Sequence, residues 1–389
     1  MGRVTASAPP ARNAPRVPRG SRTASPAGAG RMRPGSLGAA YDPRRNAFDV
    51  LRLAFAAVVL VTHTTELSSG WQPAVGATDV SALAVDGFFV LSGFLITASW
   101  LRLGSLPRFA WHRALRLLPA FWVCLVVTAL VVAPLVSVLN GGSATAVFTA
   151  PGSALTYVLH NAALYMAQFG VGGVPASAPG DGVINGSLWT LFYEALCYLA
   201  VAALGVLGLL RSRTWLVLAG VLALQLATTA EATTGVGVVP GDLLQRLLLM
   251  FALGALGFLF ARRVPTHPAL LVAAALSVLA GMLWFDDYRA VGAPGFALLV
   301  LVAAARLPWR PRLRHDLSYG VYIWHWPVAV VLLSTPLAAA PLAVQLAAVV
   351  AATTAVAAAS WFGVEAPALR LKDVARRTDA QRDRLTAQG

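Results

Sequence analysis

The sequence predicts an all-α fold, a polytopic transmembrane bundle of about ten spans with both termini in the cytoplasm. Three observations carry this expectation. Of 389 residues, 58% are hydrophobic and 12% charged, and the mean hydropathy is +0.69, far too apolar for a soluble domain of this length. The apolar residues gather in stretches of about 20, the length a helix needs to cross the hydrocarbon core. Arginines between those stretches fall mostly on one side, as short cytoplasmic loops require.

The stretches run over residues 47–66, 82–101, 117–139, 187–208, 214–230, 243–261, 267–285, 291–305, 317–336 and 342–363. With the N-terminus inside, four loops hold Arg102, Arg108, Arg113, Arg116, Arg211, Arg213, Arg262, Arg263, Arg306, Arg310, Arg312 and Arg314, against Arg246 and Arg289 on outer segments. The net charge of +14 therefore reads as membrane topology and attraction to anionic lipid. No basic patch interleaved with aromatics points to nucleic acid.

Residues 1–45 are rich in Pro, Gly, Ser, Ala and Arg and cannot build a core, so a disordered basic cytoplasmic tail is expected there. Residues 46–370 form the membrane domain, and 371–389 a charged cytoplasmic tail. The outer segment of about 140–186 is the longest between spans, and its stretch SALTYVLHNAALYMAQF suits an amphipathic or re-entrant element. Cys124 and Cys197 lie within spans with no metal-type spacing, so both read as small buried hydrophobes and no metal site is expected.

The informative residues are the polar ones inside the apolar stretches. Arg52 and His63 share one face of the first span, about 16 Å apart along a helix axis. Ionisable groups within a span are costly and face a bundle interior or wet cavity. The alternative is an Arg52 that snorkels to the headgroups and a His63 that caps the outer end. His63, Asp86 near the outer start of the second span and Glu194 near that of the fourth all fall at similar depth, so the three can meet in one outward-facing pocket. There a neutral imidazole serves as general base and a carboxylate orients it; a polar network that merely joins helices is the competing reading. At the opposite end, Arg113 and Arg116 sit three apart on one helix face, which suits a phosphate-rich ligand as well as plain positive-inside anchoring. His325, flanked by Tyr322, Trp324, Trp326 and Pro327, forms a shaped internal wall, and Glu365 before Pro367 is a helix-terminal acid paired with a local arginine.

Six motifs in order, Arg52 with His63, DGFFVLSGFLI, Arg113 with Arg116 ahead of Leu117 and Pro119, SLWTLFYE, SYGVYIWHWP and VEAP, resemble those of the acyltransferase 3 family of integral membrane O-acyltransferases, across about residues 46–370. The resemblance implies transfer of an acyl group, commonly acetyl, from cytoplasmic acyl-CoA to a hydroxyl of a carbohydrate, cell-envelope glycan or secondary metabolite, with no tightly bound cofactor. It implies a catalytic His63 and donor-binding arginines, here Arg52, Arg113 and Arg116; read from the residues themselves, Arg52, Asp86 and Glu194 join His63 in the catalytic group, and Tyr322 and His325 join Arg113 and Arg116 at the donor site. The family's fourth motif often carries two consecutive acids, whereas here Glu194 is followed by Ala195. Buried His, Asp, Glu and Arg also mark transport pathways, so an exporter of a glycan or small metabolite is the rival expectation. Arginine almost replaces lysine and alanine is abundant, which suggests a high-GC bacterial genome and hence a multi-pass plasma-membrane protein.

Overall fold

The computed structural model describes residues 33–235, 237, 241–308, 313 and 315–372. Among these, ten helices of 16 residues or more make up the body: α1 Phe48–Ser69, α2 Val80–Leu103, α3 Leu106–Val127, α4 Thr190–Val206, α5 Thr214–Thr234, α6 Asp242–Leu259, α7 Pro268–Trp284, α8 Arg289–Arg306, α9 Ser318–Leu333 and α10 Leu342–Ser360. Seven are long and apolar enough to cross a membrane, counting α3 through Leu139 and α10 through Arg370, while α4, α7 and α9 are shorter apolar helices. The protein is a helical membrane protein.

The helices alternate in direction. At the arginine-rich end, the Ala47 amide donates to Ala304 O and Arg211 Nη2 to Leu101 O. At the far end, Asn140 Nδ2 donates to Ser334 Oγ and Gln225 Nε2 to Arg289 O. Glycine in the left-handed region stops α1 at Gly70 and α2 at Gly104, where a Cβ would be strained.

Helix α3 begins about two turns before Arg113, so the arginine pair lies on the helix itself and not on the loop that hydropathy alone implies. Arg, Leu and Ala are good helix formers, and Pro107 suits the first turn. Two helices pass through a π turn just before a proline. Thr128–Val132 precedes Pro134 and continues into Ala133–Leu139, and Trp361–Glu365 precedes Pro367 and continues into Ala366–Arg370. Proline lacks the N–H of a helical bond and its ring crowds the carbonyl four residues back, so the wider turn accommodates it without ending the helix.

Part of the segment read as a tail is folded. Leu37–Ala40 is a short helix capped by Ser36, its Leu37 and Gly38 amides donating to Val264 O and Ala261 O, with Leu37 buried. The rest of that segment, residues 1–32, together with 373–389, Arg310, Arg312 and Arg314, lies outside the described residues. Between α3 and α4, the expected amphipathic element is the helix Ala154–Asn161, and residues 180–187 then turn inward, packing Gly186 on Trp326.

The most extensive packing joins α2 to α6. It rests on Gly93 and Gly254: a Cβ on Gly93 would sit 1.9 Å from Phe251 O, and one on Gly254 2.0 Å from Val90 O. Backbone meets backbone there, and no flexible side chain can yield. Gly93→Ala is therefore expected to destabilise the purified protein by about 1–3 kcal/mol in thermal unfolding. Gly220→Ala on α5, where nothing lies within 4 Å, should leave the melting temperature level or slightly raised.

Candidate active site

The first polar centre is a pair of histidines. His63 on α1 and His325 on α9 stack 5.2 Å apart, with His63 Nδ1 2.9 Å from His325 Nε2. His325 is fully buried, and its Nδ1 lies 2.8 Å from Tyr322 O and 3.3 Å from Val321 O. A carbonyl oxygen only accepts, so in the neutral pair His325 Nδ1 carries the proton and Nε2 is a lone pair. His63 Nδ1–H then donates to that lone pair, and His63 Nε2 is left bare. The backbone of one helix thus sets the tautomer of an imidazole on another.

Residues 185–190 grip the same stretch of α9. Asn185 Nδ2 donates to Ile323 O, Ser187 Oγ lies 3.2 Å from His325 Nε2, and the Thr190 and Tyr322 hydroxyls are 2.8 Å apart. All three polar side chains are buried. Trp326 sets its ring edge against His63 at 5.0 Å and donates from Nε1 to Val183 O.

The second centre lies at the arginine-rich end. Asp316, on the loop before α9, accepts from Arg116 Nη2 at 2.6 Å and Arg52 Nη1 at 3.2 Å through Oδ2, while Oδ1 accepts from the Ser318 hydroxyl at 2.5 Å and the Ser318 amide at 3.2 Å. Burial by itself would raise the Asp316 carboxyl, but Arg116, Arg52 and the Ser318 hydrogen bonds outweigh it and hold the group well below the usual carboxylate range. Arg116 also meets Glu365 at 3.7 Å, so this acid pairs across the bundle and not with the local arginine expected of it. Arg113 lies over Phe109 and Tyr198, 5.9 and 5.8 Å from the ring centroids, with its Nε buried and unpartnered.

Two cavities of about 440 Å³ each, counted with their open mouths, lie between these centres. They share Arg52, Ser92, Glu194 and Tyr319. One adds Arg113, Arg116 and Tyr198. The other reaches along Val85, Phe88, Phe89 and Leu191 to Thr190 and Tyr322, one helical turn short of His325.

The expected grouping of His63 with Asp86 and Glu194 does not form. Asp86, fully buried, takes Arg246 Nε at 3.1 Å, Arg289 Nε at 2.7 Å and the Tyr288 hydroxyl at 2.8 Å, tying α2 to α6 and α8. The two arginines expected on outer segments are thus this acid's partners. Glu194 accepts from the Tyr198 hydroxyl at 2.5 Å and from Ser92 Oγ at 3.5 Å, on the cavity wall beside the arginines. Depth along each helix was legible in the sequence, but rotation about the helix axis was not, and rotation turns Asp86 toward α6 and α8. His325, expected on the donor path, lies against His63 and one turn beyond Tyr322 on the cavity wall. Asp316 and Ser187 were not singled out; their nearest signals were the helix-capping Asp-x-Ser at 316–318 and the polar residues preceding Trp189.

The model of the acyltransferase 3 family, described as an acyltransferase domain, matches residues 45–362. The chain belongs to this family. It is similar to nodulation protein 10 of Rhizobium leguminosarum bv. viciae, 30% identical over 86% of this chain and 96% of that protein. It is also similar to the O-acetyl transferase of Shigella phage Sf6, 27% identical over 75% of this chain and 87% of that protein. No solved structure matches the chain. As an O-acyltransferase the protein takes an acyl donor and a hydroxylated acceptor within a lipid bilayer, which decides against the exporter reading.

Through its hydrogen bond to His63, His325 positions the His63 ring. His325→Phe removes the acceptor for His63 Nδ1–H and is expected to lower kcat by about 100-fold or more with the donor KM little changed. His325→Gln, whose amide oxygen can accept the same hydrogen, should recover part of that loss; acyl-transfer kinetics of the two variants provide the check. For Asp316 the sign follows from its depressed carboxyl: its contribution is complete above the ordinary carboxylate range and fades only as pH falls through and below it. The melting-temperature difference between the wild type and Asp316→Asn should accordingly hold constant from about pH 8 to about pH 5 and shrink only in stronger acid.

Proposed function

We propose that the protein moves an acetyl group from acetyl-CoA to a hydroxyl of a carbohydrate, cell-envelope glycan or secondary metabolite, with His63 as general base. The observation that carries the reading is the hydrogen-bonded series from Tyr322 O through His325 to His63, which leaves His63 Nε2 able to take a proton. A base needs an oriented lone pair within reach of the acceptor hydroxyl. The O-acetyl transferase relative supports acetyl as the acyl group.

The donor enters at the arginine-rich end, its phosphates lodging among the guanidinium groups and its pantetheine arm following the joined cavities toward Tyr322. Arginines gathered at that end support a cytoplasmic orientation, where acyl-CoA is made, with the protein in a bacterial plasma membrane. The acceptor approaches His63 from the far side, past Trp326. His63 Nε2 takes the hydroxyl proton as the oxygen attacks the thioester carbon; the C–S bond breaks, and the departing thiolate of coenzyme A recovers that proton. Holding both substrates on one helix face, about 16 Å from Arg52 to His63, supplies the proximity that water cannot.

Release of free coenzyme A by the purified protein, given acetyl-CoA and a panel of hydroxylated acceptors, tests this. Acceptor-dependent release should vanish in His63→Ala while its unfolding profile stays that of the wild type. Undiminished turnover in that variant rules out the general base.

A further inference from the structure

The cavity that reaches Tyr322 changes character along its length. At its inner end it shares Arg52, Ser92, Glu194 and Tyr319 with the arginine-lined cavity. Val85 lies seven residues beyond Ser92 on α2, a rise of about 10 Å, and Thr190 and Tyr322 stand at the same outer end on α4 and α9. The wall of this outer arm is Val85, Phe88, Phe89 and Leu191, and its two hydroxyls, on Thr190 and Tyr322, bond to each other at 2.8 Å. The arm stops there, because Ser187 and His325, one turn farther out, are buried. Phe88 stands midway along it. Its ring meets the Tyr322 ring edge-on at 5.5 Å and lies 5.8 Å from that of Phe55 on α1, centroid to centroid, so it has no room to swing toward either helix.

A closed apolar end suits hydrocarbon and not amide. The pantetheine arm of an acyl-CoA carries two amides that need hydrogen-bonding partners, and apart from the bonded Thr190–Tyr322 pair the polar side chains of this cavity lie at its inner end. We propose that the outer arm is the acyl subsite of the donor, and that Phe88 is the residue that limits the acyl group to a length near that of acetyl. This rests on the acyl-CoA reading above and names what gives it chain-length selectivity. Tyr322, whose carbonyl holds His325, belongs to the wall, so the acyl group ends one turn from the histidine pair. A longer chain would have to push Phe88 out of contact with Tyr322 and Phe55, and overpacking of that kind is costly. One methylene too many in an apolar pocket changes selectivity by about 10–200-fold.

The experiment is binding of coenzyme A, acetyl-CoA and butyryl-CoA to the full-length protein in detergent, with thermal unfolding measured on the same samples. If the wild type binds none of the three, the donor reading itself fails and the subsite with it. Given binding, butyryl-CoA should bind the wild type at least about tenfold more weakly than acetyl-CoA. Phe88→Ala should bring the two Kd values within about threefold of each other. Phe88→Leu, which keeps part of the packing, should move the ratio the same way by a smaller amount, and it carries the test if the alanine variant does not fold. Phe258→Leu removes a ring from the core that lines neither cavity and should keep the wild-type ratio even where its melting temperature falls. Equal Kd values for acetyl-CoA and butyryl-CoA in the wild type overturn the assignment while leaving the donor reading in place. So does a ratio that both Phe88 variants leave unmoved, or that Phe258→Leu shifts as far as they do.

Discussion

One carboxylate, Asp316, ties the arginine-rich end of this enzyme to its histidines. Through one oxygen it neutralises Arg52 and Arg116; through the other it caps the helix that carries Tyr322 and His325. Charges this deep are tolerated only when paired and hydrogen-bonded, so the cluster is constrained to a narrow geometry. Because α1 and α9 both end at this carboxylate, the depth of His63 relative to His325 is set a few turns below, and their 2.9 Å contact follows.

The same constraint operates in the other half of the bundle. Asp86 satisfies Arg246 and Arg289, and Tyr288 completes its shell. Both carboxylate centres hold helices that are distant in sequence, and in each the cations outnumber the acid at its heart. Irregular backbone obeys the rule as well: residues 185–190 can lie among helices because Asn185, Ser187 and Thr190 spend their polar groups on α9. What results is a rigid wall behind His63, suited to chemistry that depends on the orientation of a single imidazole.

The histidine pair uses no carboxylate. A backbone carbonyl terminates the series, so the proton on His325 is held without placing another charge in an apolar interior. Glu194 takes no part in that series and stands where the two cavities join.

Much of this was legible in the sequence. Ten apolar stretches became ten helices, because a run of about 20 such residues can satisfy its backbone only by coiling. His63 and the arginine pair were conspicuous because ionisable groups inside apolar runs are rare, and three-residue spacing placed Arg113 and Arg116 on one face. The start of α3 was missed because hydropathy sees where lipid would be entered and not where hydrogen bonding begins. Periodicity gives a residue's depth and its face on its own helix, but not which neighbour that face meets. Asp86 and Glu194 share His63's end of the bundle in sequence terms, yet Asp86 turns to α6 and α8 and Glu194 to Ser92 and Tyr198. The sequence by itself determined a helical membrane body with a histidine and an arginine pair buried in it. Only the tertiary structure decided that His325 is the partner of His63 and Asp316 that of Arg52 and Arg116, since such pairings, made between helices some 200 or more residues apart, depend on how the helices rotate to bury their charges.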